Sequence, residues 1–184
     1  MIIAKQKKKE NIAEYVLYMW QIEDMLRALD IDKDKVGKNL ISKYETDTKQ
    51  KQEIRNWYEG LIQQMKDEKI QNAGHLQFLI NQVNDLYEFH LYLMQNESET
   101  TYQQVFNLAL PNLAAFREKS KNKDDNDVEL TFNALYSLLL LRLQNKEVTS
   151  DTEKAMTSFS NYLGLLSKKY QAFHAGEEDF NSPI

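Results

Sequence analysis

Glu23, His90 and Arg142 are the residues best placed to do chemistry, because each interrupts a stripe of apolar side chains. At roughly 100° of turn per residue, Glu23 falls among Ile12, Val16 and Met19, and His90 among Leu79, Val83 and Met94. Arg142 falls between Leu135 and Leu138. A charge taken out of water without a partner is expensive, so such groups pair or stay wet in a cleft. Gathered in one pocket, a carboxylate, an imidazole and a guanidinium would hold a small polar ligand of unknown identity, as a binding protein or an enzyme does. A plainer account also fits: Glu23 pairs with Arg142 inside the core, or Arg142 snorkels at its helix end, and His90 is a hydrogen-bonded core histidine. Tyr15, Tyr18, Trp20, Trp57 and Tyr58 line the pocket on the first account and fill the core on the second.

Other constellations fail on spacing. Asp30, Asp32 and Asp34 match the first three ligand positions of a calcium loop, but Lys35 stands where the loop needs Gly and Ile41 where it needs a bidentate Glu. These aspartates are expected to end one helix and cap the next. His75, His90 and His174 are far apart, and the residues three before them are Asn72, Tyr87 and Gln171, so no helical metal pair forms. With no cysteine there is no disulfide, thiolate ligand or cysteine nucleophile. No Gly-rich phosphate loop, nucleophile elbow or dinucleotide fingerprint occurs. We therefore expect no metal, no cofactor and no catalytic constellation, which leans away from an enzyme.

Charge points the same way. The net charge is -5 with signs interspersed, unlike the basic face of a nucleic-acid binder. Lys5, Lys7, Lys8 and Lys9 are read as a solvated helix start, not as a site for an anionic partner. Glu10, Glu14, Glu23 and Asp24 behind them break any signal-peptide core. The most apolar run, Ala134 to Leu143, is about half of a membrane span. The expectation is a cytoplasmic protein with neither nucleic-acid nor membrane partner.

The elements that must position these residues are helices. Two prolines and five glycines in 184 residues are few, which favours long helices on short links. Six segments carry helical period. The first runs from Lys5 to Leu29, and a short helix holding Val36, Leu40 and Tyr44 follows it. The second carries Ile54, Trp57, Tyr58, Leu61, Ile62 and Met65; the third runs from Leu76 to Gln95 after a break at Gly74. The fourth holds Val105, Ala109, Leu113 and Phe116, with Pro111 inside it as a source of a kink. Lys119 to Asp127 reads as a mobile loop. Val128 to Gln144, with leucines from Leu138 to Leu141, reads as the central helix. The last opens with a capping-box spacing at Ser150 and Glu153 and stops at Gly176.

The resulting fold class is all-α, an up-and-down helical bundle of about five long helices plus one short helix. It forms a single domain over residues 1–176, with an acidic tail at 177–184. The function expected of it is that of a non-catalytic interaction or scaffold protein, self-associating as a homodimer. Leu17, Trp20 and Met25 widen the first helix's apolar arc beyond a single seam. The alternative is a small-molecule binder or enzyme with a polar pocket around Glu23, His90 and Arg142.

The N-terminal block adds a resemblance. Ile3-Ala4-Lys5-Gln6-Lys7, Glu10-Asn11-Ile12-Ala13-Glu14-Tyr15 and Leu17-Tyr18-Met19-Trp20-Gln21-Ile22-Glu23-Asp24 resemble the start of an uncharacterised Bacteroidota family of helical proteins, domain of unknown function 4924. The resemblance implies an all-α fold over the whole chain and a Bacteroidota source. It implies no activity, and it draws attention to Glu23 and Asp24 without giving either a role.

Overall fold

Helix is the only regular element among the described residues, which in this computed structural model are 2–120 and 122–176. The acidic tail expected at 177–184 lies outside them. The order is α1 (Ile2–Glu10), α2 (Ile12–Ala28), α3 (Lys33–Asn39), a 3-10 turn (Ile41–Lys43), α4 (Thr48–Asp67), α5 (Gln77–Gln95), α6 (Thr100–Lys119), α7 (Asp127–Leu143) and α8 (Ser150–Ala175). None of these helices is long and apolar enough to cross a membrane.

The all-helical expectation holds, but the helix count does not. Among the described residues six helices are long and two are short, against about five and one expected. The first apolar segment is two helices, not one, because Asn11 interrupts it. The Asn11 side-chain oxygen accepts the Ala13 amide at 3.0 Å and the Ser167 hydroxyl at 2.8 Å, while Gln171 donates to the Lys9 carbonyl at 2.9 Å. An Asn whose side chain takes up a free amide starts a new helix. Asn11 and Glu14 are three apart, a capping-box spacing that the apolar period running through them concealed.

The other caps explain where the chain turns. Asp32 accepts the Lys35 amide and opens α3, as expected of the aspartate cluster, and Asp47 and Asn126 do the same for α4 and α7. For α8 the cap is Thr149, which accepts the Thr152 amide, one residue before the Ser150 expected. Gly176, at φ 72, closes α8 in the left-handed conformation, as its type predicts. Pro111 lies inside α6 on its exposed face and leaves the carbonyl of Asn107, itself an exposed residue, without its helical donor. The described part of the 119–127 link is tied by Arg117, which donates to the carbonyls of Lys123 and Asp125 and pairs with Asp127 at 2.7 Å.

The chain falls into two compact units, one within Met1–Lys8 and Glu14–Asn81, the other within Lys9–Ala13 and Gln82–Ile184. In the first, α4 packs on α3 and the 3-10 turn. Lys7 there pairs with Glu14 at 2.9 Å, and Lys8 lies 5.5 Å from the Tyr15 ring, so two of the N-terminal lysines have partners. In the second, α6, α7 and α8 each pack on the other two. Only half of α7 behaves as the central helix expected. Val128, Leu130, Phe132 and Ala134 are fully buried, but Leu139 to Leu141 are half-buried and Leu143 is 66% exposed. The cover over α7 ends before the helix does.

Candidate functional site

Glu23 stands on α2, 1% exposed. One of its oxygens accepts the Leu76 amide at 2.8 Å, and the other is 2.6 Å from Nδ1 of His75. A carboxylate only accepts, so the His75 proton sits on Nδ1. The His75 ring stacks on Trp20 at 4.1 Å and 12°. Glu68 accepts the next amide, that of Gln77, at 2.7 Å. Leu76 and Gln77 open α5, whose first turn contains no acid of its own. Two carboxylates from earlier in the chain thus supply the N-terminal acceptors and the negative charge that a helix start requires. Arg27, one turn along α2, donates to Asp24 at 2.8 Å and to the carbonyls of Ile70 and Gly74, fixing the link that carries His75. Arg142 was one partner weighed for Glu23; His75 and the Leu76 amide take that place.

His90, on α5 in the second unit, is 3% exposed. Its Nδ1 lies 2.7 Å from the Tyr102 hydroxyl and 3.2 Å from that of Tyr162, with the Phe106 ring edge-on at 4.6 Å. Burial pushes His90 down to about 4, against the smaller opposing pull of the Asp127 charge. Burial also drives both tyrosines well above the ordinary phenol range. At neutral pH the three groups form a neutral hydrogen-bonded hub. It is the core histidine of the plainer account.

Arg142 is exposed near the end of α7. Neither a hydrogen bond nor an ion pair joins it to His90 among the described residues, and Glu23 belongs to the other unit. No group of three or more His, Asp or Glu among the described residues is arranged to hold a metal ion. On α2, the wide arc expected to serve self-association is largely used within the chain: Trp20 is buried and Leu17 half-buried, leaving Met25 exposed.

The feature that sequence reasoning missed is the outer face of α6. Its inner stripe, Tyr102, Phe106, Ala109 and Leu113, is buried. On the opposite side Gln104, Leu108, Pro111, Ala115 and Glu118 are all exposed, at alternating spacings of four and three that form a second seam. Leu108 is 74% exposed. Beyond Pro111 the surface dips into a cavity of about 470 Å³ lined by Leu110, Leu113, Ala114, Ala115, Arg117, Glu118 and Asp127. The signal was present in the sequence, but the inner stripe accounts for the helix by itself and masks the outer one.

Compared with known families, residues 1–177 match the model described as Domain of unknown function (DUF4924). No curated protein and no solved structure matches the chain.

Proposed function

Because the chain belongs to the DUF4924 family, whose description carries no activity, we propose from its geometry that it is a non-catalytic helical interaction protein. It pairs with a second copy of itself through the outer face of α6. The observation that carries this is the exposure of that face, with Leu108 74% exposed on a seam centred on Pro111. Leu108 and Ala114 lie three residues to either side of it, Asn107 and Ala115 four, and Gln104 and Glu118 seven. When two α6 helices pack antiparallel about that point, each Leu108 knob meets the small-residue hollow of the other copy. Each Gln104 amide then donates to the other copy's Glu118 carboxylate. A self-complementary patch of this kind is what a two-fold dimer needs. Glu23 and His90 are not required by the reading, since helix capping and the core hub already occupy them.

Burying each Leu108 contributes about 1–2 kcal/mol. One helix face is well below the area of a standard interface, so affinity falls in the micromolar range, around 1–100 μM. Light scattering over a concentration series is expected to show a monomer–dimer equilibrium. Leu108→Asp is expected to leave a monomer with unchanged helicity and melting temperature. A wild-type monomer at about 1 mM, or a Leu108→Asp protein that still dimerises, overturns the proposal. A cytoplasmic location, a Bacteroidota source and an up-and-down bundle arrangement belong to the same reading. They rest on composition, on the N-terminal block and on the short links between helices.

A further inference from the structure

The second unit holds a groove that neither the core hub nor the α6 face uses. Asp85, Glu88, Phe89 and Tyr92 recur at i, i+3, i+4 and i+7 and so share one face of α5; Tyr170, Phe173 and His174 do the same on α8. Together these seven side chains line a cavity of about 470 Å³. Its walls are aromatic and mutually braced. Phe89 meets Tyr170 edge-on at 5.6 Å, Phe173 at 5.3 Å and Tyr92 at 6.0 Å, while His174 lies 4.3 Å from the Tyr170 ring. Gln82 donates to the Tyr170 hydroxyl at 3.2 Å and fixes that wall.

The charge of the groove is one-sided. No lysine or arginine lines it, and neither Asp85 nor Glu88 has an ion pair among the described residues. Burial raises the Tyr170 phenol, the Gln82 bond opposes the rise, and the negative charge of Asp85, which lines the same cavity, adds to it. Aromatic faces attract cations through their quadrupole, and they do so best when the cation sheds water cheaply. A small hard metal ion demands converging oxygens and does not meet this condition. A diffuse alkylated ammonium ion does.

We infer that this α5–α8 groove binds a small alkylated ammonium compound, with Phe89, Tyr92, Tyr170 and Phe173 around the cationic head and Asp85 and Glu88 supplying the countercharge. Choline is the probe, and 3,3-dimethyl-1-butanol, which has the same shape without the charge, is its control. Calorimetric titration of the full chain at constant ionic strength is expected to give choline a Kd on the order of 0.1–1 mM, with the neutral isostere at least ~10-fold weaker. Asp85→Asn and Glu88→Gln change exposed side chains and leave the helices intact; each is expected to weaken choline binding about 3-fold, and the pair about 10-fold. Phe173→Leu, a swap that keeps apolar bulk, is expected to weaken it about 5-fold. No residue of α6 lines the groove, so Leu108→Asp is expected to bind choline as the wild type does. No binding at about 10 mM choline, equal binding of the isostere, or affinity unchanged in the double carboxamide variant overturns the inference.

Discussion

The neutral hub around His90 makes stability depend on pH in a way whose sign and size follow from burial. His90 titrates near 4 in the folded protein, against about 6.5 in an unfolded chain. Between those values the unfolded chain holds a proton that the folded protein does not, so acid favours unfolding. The contribution is fully present above the unfolded value and is lost as pH falls from about 6.5 towards 4, where the loss levels off. The separation of about 2.5 units sets the limit at about 3 kcal/mol, of which about 2 kcal/mol falls between pH 7 and pH 5.

Other groups titrate over the same range, so the measurement has to be a difference. Urea unfolding followed by circular dichroism at pH 7 and pH 5, on wild type and on His90→Gln, isolates the term. The glutamine oxygen still accepts the Tyr102 hydroxyl, but the side chain takes up no proton. The variant starts less stable, because its amide N–H groups enter a site built for a ring. It should then lose about 2 kcal/mol less than wild type on acidification. Two curves that fall in parallel from pH 7 to pH 5 refute the reasoning, whatever their offset.

Glu23→Gln keeps an acceptor for the Leu76 amide but sets an N–H group against the Nδ1 proton of His75 and removes the charge from the start of α5. A loss of about 2 kcal/mol is expected. Both tryptophans, Trp20 and Trp57, lie in the first unit, so urea unfolding read by tryptophan fluorescence reports it there; a loss under about 0.5 kcal/mol counts against the capping role. Lys69, exposed at φ 57 just past the end of α4, holds a left-handed conformation while the Ile70 amide returns to the Met65 carbonyl at 3.0 Å. Lys69→Gly is therefore expected to stabilise by about 0.5–1 kcal/mol in the same assay, and a destabilised variant contradicts it. Pro111→Ala restores a donor to the Asn107 carbonyl and is expected to raise the thermal midpoint, the helix gaining about 1–3 kcal/mol; a calorimetric midpoint unchanged or lowered would show that α6 has no such deficit.

Apolar period made the helices legible, and of the three polar residues on stripes Glu23 and His90 are buried while Arg142 is exposed. Their partners were not legible. His75 lies in the link between α4 and α5, outside any helix, where no periodicity marks it, and it reaches Glu23 across 52 positions of sequence. Tyr102 and Tyr162 sit on stripes, but their hydroxyls look like ordinary aromatic core until a third helix brings His90 between them. Arg142 is exposed near the end of α7, where the snorkelling alternative put it. Period gives the face of a helix, not how far along it the cover extends, and on α7 the cover ends before Arg142. An interrupted stripe is thus evidence of function only when the group is buried and lacks a partner; Glu23 and His90 have theirs. What the chain's own folding leaves unexplained is the reverse case, apolar residues on a face that ought to be polar. Leu108, near Pro111 on the outer side of α6, is the most exposed of these among the described residues. An interaction role is therefore to be sought there, not at the three polar residues that first drew attention.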